Sequence, residues 1–364
     1  MASIERTAYP RLRSRLSDDE RHARFTLTGE ERDFVRANAR GAEHRLTLAL
    51  MLKTFRHLGY FPDLSEILEA VRDFVCRQLD LPLGTATLDG PQRKPTLFRY
   101  RQSVLGLLGW TVYGEDSAQQ LRGVIETAAR TMSDPADLIN VAVEHLFKSH
   151  IELPAFSTLD RLVGTVRIRV HEDLYTRVTA TLTPAQEEIL ESLLVVSPGQ
   201  STTPFTRLKQ TPGPATLKRI GLWIEHLAEL DAILDPRPFL AGVAHTKVRQ
   251  FAAEASALSI GDIRDVKNRK RCHTLLLSLL DQAQSIARDA LVEMFLHRIR
   301  RTRNAAQEQL QRLQDRHRSI AESLLSVFGD LLRQARDTEA DIDLGRRVRV
   351  VLDESGGVEA LERE

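Results

Sequence analysis

Cysteine is almost absent from this chain of 364 residues, in which Cys76 and Cys272 stand far apart without neighbouring ligand pairs. A disulfide framework or a zinc site is therefore not expected, and the low cysteine content fits a reducing cytoplasm. Aromatic residues make up only 5% of the sequence, which disfavours β-strands. No run approaches the roughly 18 apolar residues of a membrane span, and the N-terminus lacks the apolar core of a secretory signal.

A large excess of charge of either sign is also missing, because 51 basic and 50 acidic residues leave a net charge of +1. Strongly basic proteins are typical nucleic-acid binders, so any DNA binding here must come from local clusters of arginine and lysine. Two such clusters contain no acidic residue: Arg93, Lys94, Arg99 and Arg101; and Arg298, Arg300, Arg301 and Arg303. The second lies in a long helical pattern, which favours a solvated face or an intersubunit contact.

Helix start and stop signals recur along the chain, and abundant Leu, Ala, Arg and Glu support helices. Three capping boxes are predicted, at Thr28–Glu31, Ser117–Gln120 and Thr183–Gln186. Gly41 and Gly59 are predicted to separate helices, Asp63 to begin a third helix, and Pro135 to occupy a first helical position. The short alternating stretches 166–170 and 348–352 are the only strand candidates, so the fold class is mainly α.

Composition breaks divide the chain into tandem small helical domains resembling helix-turn-helix modules, followed by long packed helices. The predicted boundaries give two DNA-binding domains at residues 1–83 and 84–156, a third DNA-binding region at 157–258, and a dimerisation or linker region at 259–364. In the last region, the following residues, all apolar except the histidine, fall three or four positions apart: Leu310, Leu313, His317, Ile320, Leu324, Phe328 and Leu331. Such a stripe must pack on the preceding helix, predicted from Leu275 to Ile299, or on a partner chain.

Recognised catalytic motifs are lacking, including phosphate-binding glycine loops, zinc-hydrolase pairs and nucleophile elbows. His171, His226 and His297 each stand alone on helical patterns, where a structural role is commoner than a ligand role. An acidic cluster at Asp337, Asp341 and Asp343 fits a solvated face, with a metal-dependent nuclease as the alternative. No metal, cofactor or small-molecule substrate is expected for this chain.

Two short segments combine arginine, lysine and glutamine at helix starts, as DNA-reading helices do. Phe98–Gln102 follows the Arg93-Lys94 pair, and Phe205–Gln210 precedes a further helix start at Thr216, Lys218 and Arg219. Arginine and lysine donate to phosphates or guanine, and glutamine pairs with adenine. A solvated basic surface is an equally good interpretation of each segment from composition alone.

Several motifs resemble the N-terminal part of Tn-three family transposases. Ala49-Leu-Met-Leu-Lys-Thr-Phe-Arg-His-Leu-Gly-Tyr-Phe-Pro62 is similar to the family motif LLLKTFxxLGYFP, and Leu153-Pro-Ala-Phe-Ser-Thr-Leu-Asp-Arg-Leu-Val163 to LPAFSTLxRL. Further similar stretches are Glu5–Leu12, Cys76–Pro82, Tyr100–Gln102, Phe205–Gln210 and Ala290–Phe295. Together they cover nearly the whole chain.

This resemblance implies tandem helical domains that bind double-stranded DNA at transposon terminal inverted repeats, followed by a dimerisation region that makes a homodimer. The family's metal-dependent catalytic domain, which uses Mg²⁺, is expected beyond Glu364, so no enzymatic activity is expected of this chain. The expected location is the bacterial cytoplasm, on the nucleoid. The main alternative is a helical dimerisation adaptor that does not bind DNA. The candidate DNA contacts are Lys53, Arg56, Lys94, Arg99, Arg101, Gln102, Arg207, Lys209, Gln210 and Lys218.

Overall fold

The computed structural model describes residues 3–13, 15–82, 94–196, 198–199, 201–336 and 341–357. Within these ranges the regular structure is helical, apart from one isolated bridge between Thr111 and Ile151, and no strand forms. Both alternating stretches considered as strands lie inside helices, Phe156–Thr179 and Asp341–Glu354. The prediction of a mainly α fold is confirmed.

The first helical group is built around one buried central helix. Its helices are α1 (Asp18–Phe25), α2 (Gly29–Asn38), α3 (Ala42–Leu58) and α4 (Glu69–Gln78), with 3-10 turns at Ile4–Arg6 and Leu64–Glu66. Residues 46–55 of α3 are all buried, and they form one apolar core with side chains of α1, α2 and α4. The hydrophobic effect therefore holds this group together around α3.

The ends of these helices follow the local sequence. Thr28 and Glu31 form the predicted capping box, and Gly41 and Gly59 both adopt positive φ, Gly59 as the left-handed C-cap of α3. The predicted helix start at Asp63 is wrong. The Asp63 carboxylate accepts from the backbone N–H of Ser65 and caps only a 3-10 turn. The chain is then extended at Leu68, so α4 begins at Glu69.

The next helix, α5 (Lys94–Leu108), adds Tyr100, Val104 and Leu105 to the core of the first group. A second group comprises α6 (Glu115–Ala129), α7 (Pro135–Lys148) and α8 (Phe156–Thr179). Pro135 is the first residue of α7, as predicted, and Asp134 caps it. The predicted capping box beginning at Ser117 is wrong, because α6 begins at Glu115 with Gly114, three residues before Ser117, as its N-cap. The Ser117 hydroxyl instead accepts from the Gly114 N–H at 2.8 Å.

The N-terminal segment links the first two groups. The Tyr9 hydroxyl donates to the Pro154 carbonyl at 2.9 Å, and the Tyr60 hydroxyl donates to the Pro10 carbonyl at 3.2 Å. Aromatic contacts add to this link, since the Trp110 ring meets Phe55 and Phe147 edge to face. The two groups therefore share one packed interface.

Gly59 lies at this interface, and we expect Gly59→Ala to destabilise the protein by about 2–3 kcal/mol. Its φ is +72°, and a Cβ atom would lie 2.9 Å from Cζ of Phe147. Gly109→Ala is the matched control, because Gly109 has a φ of +68° but no atom within 4 Å of the added Cβ. That control should lose only about 1 kcal/mol. Denaturant unfolding measures both; equal losses would contradict the steric argument.

The chain divides into two compact units, the first formed by residues 1–210 and 233–283 and the second by residues 211–232 and 284–364. Besides the two groups above, the first unit contains α9 (Pro184–Ser192), α10 (Pro204–Leu208), α12 (Arg237–Leu240), α13 (His245–Ala257) and α14 (Ile260–Arg264). The α9 helix starts with the predicted capping box of Thr183 and Gln186. The Phe251 ring of α13 packs on His171 and Tyr175 of α8. The predicted domain boundaries stay a prediction.

The second unit is made of residues from α11 (Leu217–Ile233), α15 (Arg269–Arg336) and α16 (Asp341–Glu354). Gln284 donates to the Leu230 carbonyl at 3.1 Å, and Arg288 pairs with Asp231 at 2.6 Å. The prediction of separate helices at Leu275–Ile299 and Leu310–Leu331 is wrong. Both stretches belong to α15, which has no glycine or proline near residue 300 to end it. The apolar stripe therefore cannot fold back on the preceding segment.

Candidate nucleic-acid interface

Lys53 and Arg56, two of the predicted DNA contacts, converge on one buried carboxylate. The Lys53 ammonium lies 3.1 Å from Oε2 of Glu31 and donates to the Thr26 carbonyl at 2.7 Å. Arg56 reaches Oε1 of Glu31 at 2.6 Å, although its own side chain is 54% exposed. Lys53 therefore belongs to the interior ion pair, whereas Arg56 still presents its guanidinium to solvent.

Further cations surround the C-terminal end of α3, and the sequence analysis missed them. Arg24 donates to Nε2 of His57 at 3.0 Å, and both Arg24 and Arg13 lie near the Glu20 carboxylate. Burial, followed by the charges of Arg24 and Arg13, lowers the pKa of His57. The lowered pKa keeps His57 uncharged, able to accept from Arg24.

This α3-end cluster, defined as Arg13, Arg24, Lys53, Arg56, Glu20 and Glu31, holds four cations and two carboxylates. It therefore has an excess of positive charge. Exposed cations at such a surface attract phosphates through long-range electrostatics. The sequence contained a partial indication, since Arg56 and His57 are adjacent in the last turn of α3.

The second predicted segment lies on α5 and has one residue held internally. Arg101 donates through Nε and Nη2 to Oε2 of Glu152 at 3.1 and 2.5 Å, and its guanidinium lies over the Phe61 ring. Burial raises the pKa of Glu152, while the Arg101 charge and hydrogen bonds oppose that rise. Arg99 and Gln102 are exposed on the same helix. The Lys94 side chain, like Arg93, lies outside the described part of the chain.

The third predicted segment surrounds α10. Lys209 donates to the Leu258 carbonyl at 2.6 Å and lies 4.0 Å from the Phe205 ring centre. Burial lowers the pKa of Lys209. Arg207 is half-buried and Gln210 is exposed. Lys218 is also exposed, but it belongs to the second unit whereas residues 207–210 belong to the first.

A buried polar cluster in the first unit had no counterpart in the sequence analysis. Lys247, with 0% of its surface exposed, donates to Oγ of Ser133 at 2.6 Å, and its Nζ lies 3.2 Å from Nε2 of His171 and 3.4 Å from Oε1 of Gln250. Burial, and then the Arg167 charge, lowers the Lys247 pKa to about 8. Burial, followed by the Lys247 and Arg167 charges, lowers the His171 pKa to about 4.

A metal site would need several ligating side chains close together. Among the described residues, no group of three His, Cys, Asp or Glu side chains is arranged to hold a metal ion. The side chains of Asp337, Asp341 and Asp343, which motivated the nuclease hypothesis, lie outside the described residues.

Among the described residues, no helix has the length and apolarity needed to cross a lipid bilayer.

The described residues are helical and carry exposed basic side chains on several helices. Comparison with known proteins identifies the relationship. Residues 1–166 match a domain of unknown function, DUF4158. The chain is also similar to the transposase for transposon gamma-delta of Escherichia coli strain K12, with 26% identity over 77% of this chain and 28% of that protein.

Two further transposases show comparable similarity. The chain is 24% identical to the transposase for transposon Tn1546 of Enterococcus faecium, over 87% of this chain and 32% of that protein. It is 24% identical to the transposase for transposon Tn501 of Pseudomonas aeruginosa, over 89% of this chain and 33% of that protein. The resemblance to the N-terminal region of Tn-three family transposases is thus confirmed at modest identity. The chain spans about a third of the length of these relatives or less.

Proposed function

We propose that the chain binds double-stranded DNA at the terminal inverted repeat of a transposon, as the DNA-binding region of a transposase. The observation that carries this proposal is the similarity to three transposases over 77–89% of the chain. The proposed role is binding without strand cleavage. A protein with this role acts on the nucleoid in the bacterial cytoplasm.

Basic surfaces on separate elements support several spaced contacts with one duplex. Arg56 and Arg24 at the end of α3, Arg99 and Gln102 on α5, and Gln210 after α10 are the proposed contacts in the first unit. Exposed arginines contact phosphates, whereas glutamine amides distinguish bases. Lys53 has a different role in this proposal, because its ammonium holds Glu31 and thereby positions Arg56. Weak contacts on one chain add through effective concentration, so a long site is held tightly.

Sequence-specific recognition is tested by an electrophoretic mobility shift with two duplexes. One carries the terminal inverted repeat nearest the gene, and the other carries the same bases in shuffled order. We expect the repeat to bind at least about 1000-fold more tightly at physiological salt, because specific contacts add to the phosphate term. Equal affinity for both duplexes would contradict recognition of a repeat, and no binding to either would contradict the DNA-binding role.

Arg56→Gln tests the α3-end cluster. Lys53 continues to hold Glu31 in this variant, so folding is retained while one exposed positive charge is lost. We expect the slope of log affinity against log salt to fall by about 1. Arg36→Gln is the matched control, because Arg36 is 55% exposed and lies on α2, where it pairs with Asp33 at 3.7 Å. If both variants lower the slope equally, net charge rather than the α3-end cluster explains the effect.

We also propose that two copies associate through the apolar stripe of α15. Leu310, Leu313, Leu324 and Phe328 are all exposed. Together with His317 and Ile320 they recur every three or four residues, a spacing that favours helix-to-helix packing. Two copies would bring two DNA ends together. Light scattering should give twice the mass of the monomer, and Leu324→Asp should return it to the monomer mass. A monomeric wild-type protein would contradict this arrangement.

A dimerisation adaptor that does not bind DNA is the second candidate. The exposed apolar stripe and the net charge of +1 favour it. Measuring the mass and titrating DNA on the same preparation separates the two functions. A dimer that ignores duplex DNA at low salt would support the adaptor, and a dimer that binds the repeat would support the transposase function.

A further inference from the structure

The second unit has a basic surface in which one side of α15 lies next to the start of α11. Arg300 and His297 line a cavity of about 720 Å³ together with the proline-containing segment 212–215. A second cavity of about 570 Å³ continues along the same side and adds Arg301, Asn304 and Glu308. The two cavities share His297 and Arg300, so they form one continuous surface.

Arg219 of α11 extends this surface. A Cβ atom added to Gly213 would lie 2.5 Å from Nε of Arg219, so the guanidinium lies directly over the segment that lines the larger cavity. Lys218 precedes Arg219 in the first turn of α11 and is exposed. We define the α15 basic surface as Lys218, Arg219, His297, Arg300, Arg301 and Asn304.

The cations of this surface differ from three of the predicted contacts in the first unit. No Asp or Glu oxygen of the described residues lies within 4.0 Å of the charged groups of Lys218, Arg219, Arg300 or Arg301, whereas Lys53, Arg56 and Arg101 all form ion pairs. Glu293 lines the larger cavity, and Glu308, which lines the smaller one, is 4.0 Å from Arg312. The surface therefore keeps an excess of positive charge, since four cations stand against the two carboxylates of Glu293 and Glu308.

The position of this surface on α15 leaves the apolar stripe uncovered. At 3.6 residues per turn, residues 297, 301, 304 and 308 fall on one side of a helix, and residues 292, 299, 310 and 313 fall on the opposite side. The latter are Val292, Ile299, Leu310 and Leu313, all exposed. A ligand on the basic side would therefore not obstruct a partner on the apolar side.

We infer that the α15 basic surface binds the sugar–phosphate backbone of duplex DNA. Lys218 was a predicted contact, whereas the α15 residues lie in the region predicted only for dimerisation or as a linker. This inference rests on the proposed function and adds a contact site to it. Charge complementarity selects the ligand, because a row of unpaired guanidinium groups matches the regularly spaced phosphates of a duplex. The asparagine amide at position 304 supplies one further hydrogen-bond donor. The site reads no sequence, since phosphates carry none.

The double variant Arg300→Gln with Arg301→Gln tests the site in the full chain, with a long duplex of mixed sequence as the probe. We expect the slope of log affinity against log salt to fall by about 2, because each lost phosphate contact lowers it by about 0.9. The charge-retaining variant Arg300→Lys with Arg301→Lys should keep the wild-type slope. Light scattering on all variants should give unchanged mass, since Arg301 lies opposite the apolar stripe and Arg300 lies beside it, outside the stripe.

The matched control is Arg312→Gln with Arg318→Gln, which removes the same charge from the same helix. Arg312 and Arg318 already face Glu308 and Glu322 at 4.0 and 3.7 Å. A slope that falls for the first pair and not for the control supports the site. An unchanged slope for the first pair, or an equal fall for both pairs, overturns it and leaves DNA binding by the first unit intact. A wild-type chain that fails to bind duplex DNA contradicts the proposed function itself. Binding of an acidic protein but not of DNA would also overturn the site.

Discussion

Glu31→Ala is expected to destabilise the protein by about 3–5 kcal/mol, because it leaves the buried Lys53 ammonium without a counter-charge. Only 5% of the Glu31 side chain and 7% of the Lys53 side chain are exposed, so water cannot replace the lost carboxylate. The substitution also removes the Glu31 part of the capping box on α2. Urea unfolding followed by circular dichroism measures the loss.

Two controls separate the ion pair from other effects. Glu30→Ala removes a neighbouring carboxylate that is exposed in the same helical turn, and we expect a change within about 0.5 kcal/mol. The double variant Glu31→Leu with Lys53→Met removes both charges, and replacing a buried pair by apolar side chains is often close to neutral. It should recover much of the stability lost in Glu31→Ala. If it were less stable than Glu31→Ala, the unpaired Lys53 charge would not be the cause.

The second large effect concerns Lys247 and the pH dependence of stability. Its pKa of about 8 in the folded protein lies below the ordinary value of 10.5, so the unfolded chain binds the proton more tightly. The free energy of unfolding therefore rises with pH between these two values. By linkage, the rise is worth about 3 kcal/mol, and the penalty for burying the charge is fully present below pH 8.

Lys247→Met isolates this contribution, because methionine has a similar shape without a charge. We expect the stability of wild type relative to the variant to increase by about 3 kcal/mol from about pH 7 to about pH 11. Denaturant unfolding at both pH values gives the difference in the free energy of unfolding between wild type and variant. The contributions of the other titrating groups are the same in both proteins and cancel in this difference. Lys218→Met, at an exposed position, should show no such change. A pH-independent difference for Lys247→Met would mean that folding does not shift the pKa of the lysine.

Local signals in the sequence predicted the fold class and several helix ends. Thr28 and Glu31 define a helix start by their spacing, and Gly59 ends α3 because it accepts a left-handed backbone. Asp63 and Ser117 misled the prediction, since both residues also form turns within a few residues of a true helix start. The continuity of α15 was missed because the apolar pattern weakens around residues 300–309, where the helix is solvated on all sides.

The candidate site was harder to predict, because most of its geometry depends on contacts between distant segments. The family resemblance implied that Lys53 contacts DNA, but its ion-pair partner Glu31 comes from another helix. Lys247 lies four residues before Phe251, on the buried side of α13, and this position was the one available indication that it is buried. The importance of Arg300 depends on the segment 212–215, which periodicity alone cannot place beside it.

In the proposed function, the hydrogen bonds of Tyr9 and Tyr60 limit how the first two helical groups can bind a duplex. Two helical groups that are fixed to each other cannot move apart or together to reach two DNA sequences whose separation varies. Because B-DNA turns once in about 10 base pairs, inserting about five would rotate one subsite to the far side of the helix. The number of base pairs between the two DNA sequences that the groups contact should therefore be constant. Inserting a whole helical turn of DNA between them should weaken binding as much as inserting half a turn.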